Sequence, residues 1–315
     1  MRSITIIGGH DKDGRSEDFT LTLQTGDILC VVGPTGAGKS RFLEDISVLA
    51  QGDTPTGRRI LLDGGTPSPE QRYSLEGKLV AQLSQNMNFI MDLTVREFIL
   101  MHAESRGVPR GETNAALDII SNLAPEMAEE PPPEQNSGPD TDLLSPVAAA
   151  AVFDPESSDT LESADTLVSG IVDAANRLTG EALSADTPVT QLSGGQSRSL
   201  MIADTALLSP TPVVLIDELE NAGVDRRRAL ELLVGEDKIV LVSTHDPVLA
   251  LLGQRRVCIH RGGVRRIIET SLYERHNAAL MGAVSEKFLV LREMLREGAS
   301  LDFDMETFFQ EGVTV

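Results

Sequence analysis

The chain is predicted to fold as an α/β structure on a mixed sheet, with a parallel core and an antiparallel β edge. Three observations carry that expectation. Apolar runs at Ile28 to Val32, Pro212 to Ile216 and Lys238 to Val242 alternate with segments of helical periodicity, as buried parallel strands joined by crossovers do. Phe19 to Leu23 instead alternates apolar and polar residues, the pattern of an antiparallel strand with one solvated face. The first apolar run leads directly into Gly33-Pro34-Thr35-Gly36-Ala37-Gly38-Lys39-Ser40, a glycine-rich turn opening an amphipathic helix.

Ser3 to Ile7 reads as the first strand and Phe19 to Leu23 as the second. From Lys39 a helix is expected with Phe42, Leu43, Ile46 and Leu49 on one face. Arg59 to Leu62 and Lys78 to Leu83 supply further strands. Thr94-Val95-Arg96-Glu97 has the capping-box spacing and opens a helix through about Glu104. Residues 125 to about 164 break the pattern. They contain Pro131-Pro132-Pro133, and from Pro125 to Val168 there are eleven acidic residues and no basic one. Low hydrophobicity with high charge predicts a disordered insertion, with at most a short helix at the alanine run. Arg256 to Ile259 is a further buried strand. Beyond it Met281, Val284, Phe288, Leu291 and Leu295 repeat by 3, 4, 3 and 4, giving a long helix capped by Gly298. Packing of that helix onto its own domain is the leading expectation, and a two-stranded seam with a partner is the other.

At 315 residues and 41% hydrophobic composition, the chain has room for one large core or two small ones. No run approaches the roughly 18 apolar residues that span a bilayer. The longest, Val147 to Phe153, is mostly alanine between Pro146 and Pro155. The N-terminal apolar segment ends at Gly8-Gly9-His10-Asp11, too early for a signal peptide, so a cytoplasmic protein without membrane insertion is expected. A net charge of −21 argues against a nucleic-acid-binding face and against adsorption to anionic lipid. Cys30 and Cys258 lie in strand-like runs without a nearby cysteine and read as structural.

The segment Gly33 to Ser40 fits the phosphate-loop pattern, in which backbone N–H groups at a helix start face the phosphates. Lys39 can reach the β and γ oxygens, and the Ser40 hydroxyl can ligate Mg²⁺. Far downstream stands Leu192-Ser193-Gly194-Gly195-Gln196, with Ser193, Gly194 and Gly195 placed to start a helix and aim donors outward. The two motifs together resemble the ATP-binding cassette (ABC) ATPases over roughly residues 1 to 267. The resemblance implies a P-loop NTPase of the ABC type with a helical signature subdomain at about 86–208, and leaves 268–315 as a C-terminal helical extension.

Further matches follow from that resemblance. Asp217 and Glu218, closing an apolar strand, correspond to the acid that anchors Mg²⁺ and the general base. Gln85 matches the glutamine that contacts Mg²⁺ or water and senses the transport partner, with Gln82 as a competitor. His245 matches the switch histidine near the γ-phosphate. Ser193, Gly194, Gly195 and Gln196 would meet the γ-phosphate held by another subunit, so ATP and Mg²⁺ are the implied ligands and a second cassette the implied partner, most simply a second copy. The role implied is that of a transporter's ATP-binding subunit with separate membrane permease chains, on the cytoplasmic face. The alternative is a stand-alone cassette remodelling a soluble protein client. Two departures stand out. Leu219 to Asp225 is one residue longer than the family pattern, with Asp225 as the equivalent acid, and the adenine-stacking aromatic is missing from its usual place, near which His10 reads either as its stacking replacement or as a surface-loop histidine. Asp11-Lys12-Asp13-Gly14 reads as a turn rather than a calcium loop.

Overall fold

The computed structural model describes residues 1–73, 78–84, 89–106, 158–219 and 223–310. Gln85 and most of the acidic insertion, with Glu220, Asn221 and Ala222, lie outside the described residues.

Two sheets stack around one helix. The smaller is antiparallel, with β1 (Ser3–Ile7) between β2 (Thr20–Gln24) and β4 (Arg59–Leu62). The larger runs β5 (Val80–Leu83), β6 (Val213–Asp217), β7 (Ile239–Ser243), β3 (Ile28–Val32), β8 (Arg255–His260) and β9 (Gly263–Glu269). All its pairings are parallel except the β8–β9 hairpin. β9 has no counterpart in the sequence reading, because Arg265 and Arg266 interrupt its apolar alternation; an edge strand can afford such residues where a central one cannot.

Alternation along the parallel strands divides the core. Leu29, Val31, Leu215 and Leu241 face a cluster formed with the antiparallel sheet and with Phe42, Leu43 and Ile46 of α1 (Lys39–Ser47). Val214, Ile216, Val240 and Val242 face the opposite cluster. Around that second face lie α3 (Val95–Ser105), α4 (Ser158–Leu178), α5 (Gly194–Leu207) and α6 (Arg226–Gly235); the short α2 (Pro69–Tyr73) buries nothing. The expected capping box of α3 is formed, Thr94 Oγ1 accepting from Glu97 N at 3.2 Å and Glu97 Oε2 accepting from Thr94 N at 2.7 Å.

The helix α4 corrects the extent of the insertion, since it begins at Ser158, inside the stretch expected to be disordered. Leu167, Val168, Ile171, Ala174, Ala175 and Leu178 repeat at helical spacing and are buried, enough apolar surface to offset the entropy of ordering the segment. Replacing 131–157 with a short Gly-Ser linker is therefore expected to leave a cooperative melting transition in calorimetry. Extending the replacement through Leu178 should abolish that transition.

The helix α7 (Pro247–Leu252) packs against α8 (Leu272–Arg296). Of the α8 seam, Leu291 is buried while Phe288 and Leu295 stay 52% and 57% exposed. A last helix, α9 (Met305–Gln310), folds back so that the Phe288 and Phe309 rings lie 5.2 Å apart. Gly298 closes α8, with Gly298 N donating to Leu295 O and Ala299 N to Met294 O. Cys30 is buried and both cysteines are free. Burial pushes the Cys30 thiol up to about 11, which keeps it an inert thiol.

A buried ionic cluster joins the two sheets. Arg58, fully buried, donates to both Glu17 carboxylate oxygens at 2.9 and 2.7 Å, to Asp45 Oδ2 at 3.0 Å and to Gly262 O at 2.8 Å. Its guanidinium also lies 5.0 Å from the Phe42 ring centre.

Candidate active site

The C-terminal ends of β5, β6, β7 and β3 lie side by side, the edge at which parallel sheets place ligands. Register aligns them: Asp217 pairs with Ser243, which pairs with Val31, two residues before the phosphate loop. The loop itself is fitted to its neighbours. A Cβ on Gly33 would stand 2.4 Å from Ile259 O, and one on Gly38 would stand 2.9 Å from Gly262 Cα. Gly38, at φ +106, is also the cap from which α1 starts. Only glycine admits both the close approach and that backbone angle. The β8–β9 turn then braces the loop through Gly262 N donating to Ala37 O at 2.6 Å.

Lys39 is buried, and its Nζ donates to Gly33 O at 3.0 Å and to His245 Nε2 at 3.0 Å. An ammonium has no lone pair, so Nε2 is the accepting nitrogen of the His245 ring here. The same Nε2 lies 3.6 Å from Glu218 Oε1, outside hydrogen-bond range. Ser40 Oγ donates to Asp217 Oδ2 at 3.4 Å. The structure thus brings Lys39, Ser40, Asp217, Glu218 and His245 into one continuous polar cluster. A cavity of about 340 Å³, lined in part by Gly33, Thr244, His245 and Arg256, opens beside it.

Each acid and base is held by backbone. Glu218 N donates to Ser243 O at 3.1 Å, and Thr244 N donates to Val31 O at 3.1 Å, fixing the turn before His245. Asp246 accepts from Val248 N and Leu249 N, capping α7, and pairs with Arg226 at the start of α6.

The second motif starts α5. Ser193 is its N-cap, with Oγ accepting from Gln196 N at 3.2 Å and Gln196 Oε1 accepting from Ser193 N at 2.9 Å. Gln196 Nε2 donates to Ala182 O at 3.0 Å, so this side chain braces the helix start. Among the described residues, no hydrogen bond or ion pair links Leu192–Gln196 to Gly33–Ser40. His10 is exposed and its ring lies against Gly57, with Nδ1 3.3 Å from Asp11 O. Asp11 Oδ1 accepts from Asp13 N and Arg15 N, making the neighbouring segment a turn, as its sequence suggests. Asp225 caps α6 by accepting from Arg228 N.

Sequence reasoning missed Arg198. This α5 side chain is 4% exposed, and it donates to Glu218 O at 3.0 Å and Ser84 O at 3.4 Å. A single arginine on a helix carries no local sign that it turns inward.

Similarity to known proteins identifies the family and the fold. The family model described as ABC transporter matches residues 16–221. An uncharacterised ABC transporter ATP-binding protein of Methanocaldococcus jannaschii is 44% identical over 302 residues, covering 96% of this chain and 95% of that protein. A lipoprotein-releasing system ATP-binding protein of Rhodopseudomonas palustris is 37% identical over 101 residues, 31% of this chain and 42% of its own length. Among solved structures, an ATP-binding subunit of an ABC transporter superposes with a TM-score of 0.51 at 16% identity, covering 85% of this chain and 90% of that one. A Clostridium perfringens subunit of an ABC transporter complex gives 0.51 at 17% identity, covering 90% and 95%. At such identities the structures attest the fold, while the family model and the methanogen relative attest the lineage. With its phosphate loop, paired acids and LSGGQ helix, the chain belongs to the ABC transporter family, as an ATP-binding and ATP-hydrolysing cassette.

Proposed function

We propose that this chain is the ATP-binding subunit of a transporter, acting on the cytoplasmic face of a membrane as a head-to-tail pair of cassettes. The carrying observation is the cluster of Lys39, Ser40, Asp217, Glu218 and His245 in a chain with one phosphate loop and one signature helix. Among the described residues, no helix is long and apolar enough to cross a membrane, and the permease is proposed as a partner. Relatives named for lipoprotein release and macrolide export support a transport role. Residues 1–267 would form the ATPase domain, with 86–208 as its helical subdomain.

In this reading, residues 33 to 40 hold the triphosphate through backbone N–H groups and the positive end of α1. Lys39 exchanges its His245 and Gly33 contacts for the β and γ oxygens. That exchange frees His245 Nε2, which in its protonated form would donate to the γ-phosphate. The Ser40 hydroxyl and the Asp217 carboxylate, both hard oxygen donors and 3.4 Å apart, suit Mg²⁺ and would hold it. When bound, the ion neutralises charge on the phosphates. Gln85 would add an amide oxygen. Glu218 takes a proton from the attacking water. Ser193, Gly194 and Gly195 present hydroxyl and helix N–H donors to the partner's γ-phosphate while Gln196 braces them, and His10 stacks on the base.

Lys39→Ala tests the phosphate grip. The variant should keep its melting transition and lose ATP affinity by more than about tenfold in calorimetry, since a charge facing two phosphates is gone. Wild-type affinity would sink the assignment. The longer loop after Glu218 and the helical pair α8–α9 favour a second reading, a stand-alone cassette that remodels a protein client. Capture with a hydrolysis-trapped variant separates the two: a multi-span membrane protein supports transport, and a soluble client supports remodelling.

A further inference from the structure

Glu218 is the residue on which hydrolysis turns in the reading above, and its backbone is unusual. Its φ is +53, the left-handed region that side chains other than glycine rarely occupy. A conformation of this kind persists only where surrounding bonds hold it. Both ends of the residue are held. The N–H donates to O of Ser243, the last residue of β7, and the carbonyl accepts from Arg198 Nη1 at 3.0 Å.

The second Arg198 contact extends the clamp. Nη2 donates at 3.4 Å to Ser84 O, the residue between β5 and Gln85. One planar guanidinium therefore bridges the carbonyls that follow two adjacent strands, at a site only 4% exposed. A lysine could reach one of these acceptors but could not span both with fixed geometry. The helix that supplies Arg198 is the same one whose start, Ser193 to Gly195, faces the partner's nucleotide in the proposed pair.

We propose that Arg198 is a positioning residue for ATP hydrolysis, holding the Glu218 peptide in its left-handed turn so that the carboxylate is presented to the attacking water. This rests on Glu218 being the general base. Arg198 also ties the signature helix, which serves one ATP, to the base that serves the other. Losing the guanidinium frees the Glu218 peptide to relax toward an ordinary strand conformation, which would turn the carboxylate away. The phosphate loop is untouched by that change, so binding should survive while turnover falls.

The test is a double-mutant cycle on the full chain, with steady-state and single-turnover hydrolysis of γ-labelled ATP. Arg198→Ala is expected to lower kcat by about tenfold or more with KM for ATP within about twofold. Arg198→Lys should fall between it and the wild type. Added to Glu218→Gln, Arg198→Ala should cost little more, because both act through one carboxylate. Losses that multiply, or a raised KM at unchanged kcat, would overturn the proposal. Glu218→Gln turning over at the wild-type rate would instead overturn the general-base reading, and this one with it. If Arg198→Ala fails to fold, Arg198→Lys carries the same cycle.

Discussion

Glu218→Gln should bind MgATP and leave it uncleaved. The amide keeps the size and a hydrogen-bonding group but cannot accept the water's proton, so hydrolysis is expected to fall by roughly 10²–10⁴-fold. Binding should persist, because the phosphate loop and the Ser40–Asp217 pair remain intact. The consequence for assembly is larger still. If two cassettes close around ATP and part only after cleavage, the closed pair should accumulate, and light scattering after size exclusion should show a doubled mass in MgATP. Adding Ser193→Arg places a bulky cation at the N-cap of α5, where the partner's γ-phosphate would dock in the proposed pair. The double variant should return to monomers with ATP still present. A Glu218→Gln protein that stays monomeric in saturating MgATP would count against pairing of two copies through these motifs.

Replacing Arg58 should have the largest effect on stability. Its guanidinium is 0% exposed and meets Glu17 and Asp45, whose side chains are 3% and 1% exposed. Arg58→Met fills much of the volume but leaves two buried carboxylates without their cation, at a cost of about 3–5 kcal/mol. For a chain of this size that corresponds to roughly ten degrees in melting temperature. Among the described residues Asp45 Oδ1 already lacks a hydrogen-bond partner, so the site has little reserve. The double variant Arg58→Met with Glu17→Gln should recover part of the loss, since an amide costs less to bury than an uncompensated charge.

The same cluster sets an acid limb. Burial alone would raise the Glu17 carboxyl, but hydrogen bonds from Arg58, Gly9 N and Val264 N hold it below its ordinary value of 4.5. A carboxylate depressed in the fold stabilises it above 4.5, and that contribution is lost as pH falls through the lower folded value. Wild-type stability should therefore fall on acidification below 4.5. In Arg58→Met burial is no longer opposed by the guanidinium, so protonation relieves the variant and its deficit against wild type should shrink. Melting curves from pH 7 to pH 3 check the sign, and a deficit that grows on acidification would refute this account.

Much of the site was legible because its signals are local. The strand Ile28–Val32 feeding Gly33 to Ser40, the acids closing β6, and His245 after β7 each lie within a few residues of the apolar run that positions them. Helix boundaries were read for the same reason: Thr94 and Glu97 cap one helix, and Gly298 ends another. The insertion was read as running to about 164 because the first turns of α4 share its acidic, serine-rich composition.

By itself the sequence determined the family and most of the elements that carry its motifs, because caps, periodicity and phosphate loops are written in contiguous residues. The tertiary structure alone decided that β3 lies between β7 and β8, which aligns four strand ends into one site. It also decided that Arg58 reaches Glu17 across 41 positions and that Arg198 reaches Glu218 across 20. In sequence an isolated arginine reads as a solvated cation, since nothing nearby supplies its partners. Only when folding removes water from around it do distant carboxylates and carbonyls become its sole means of satisfaction, and the residue becomes structural.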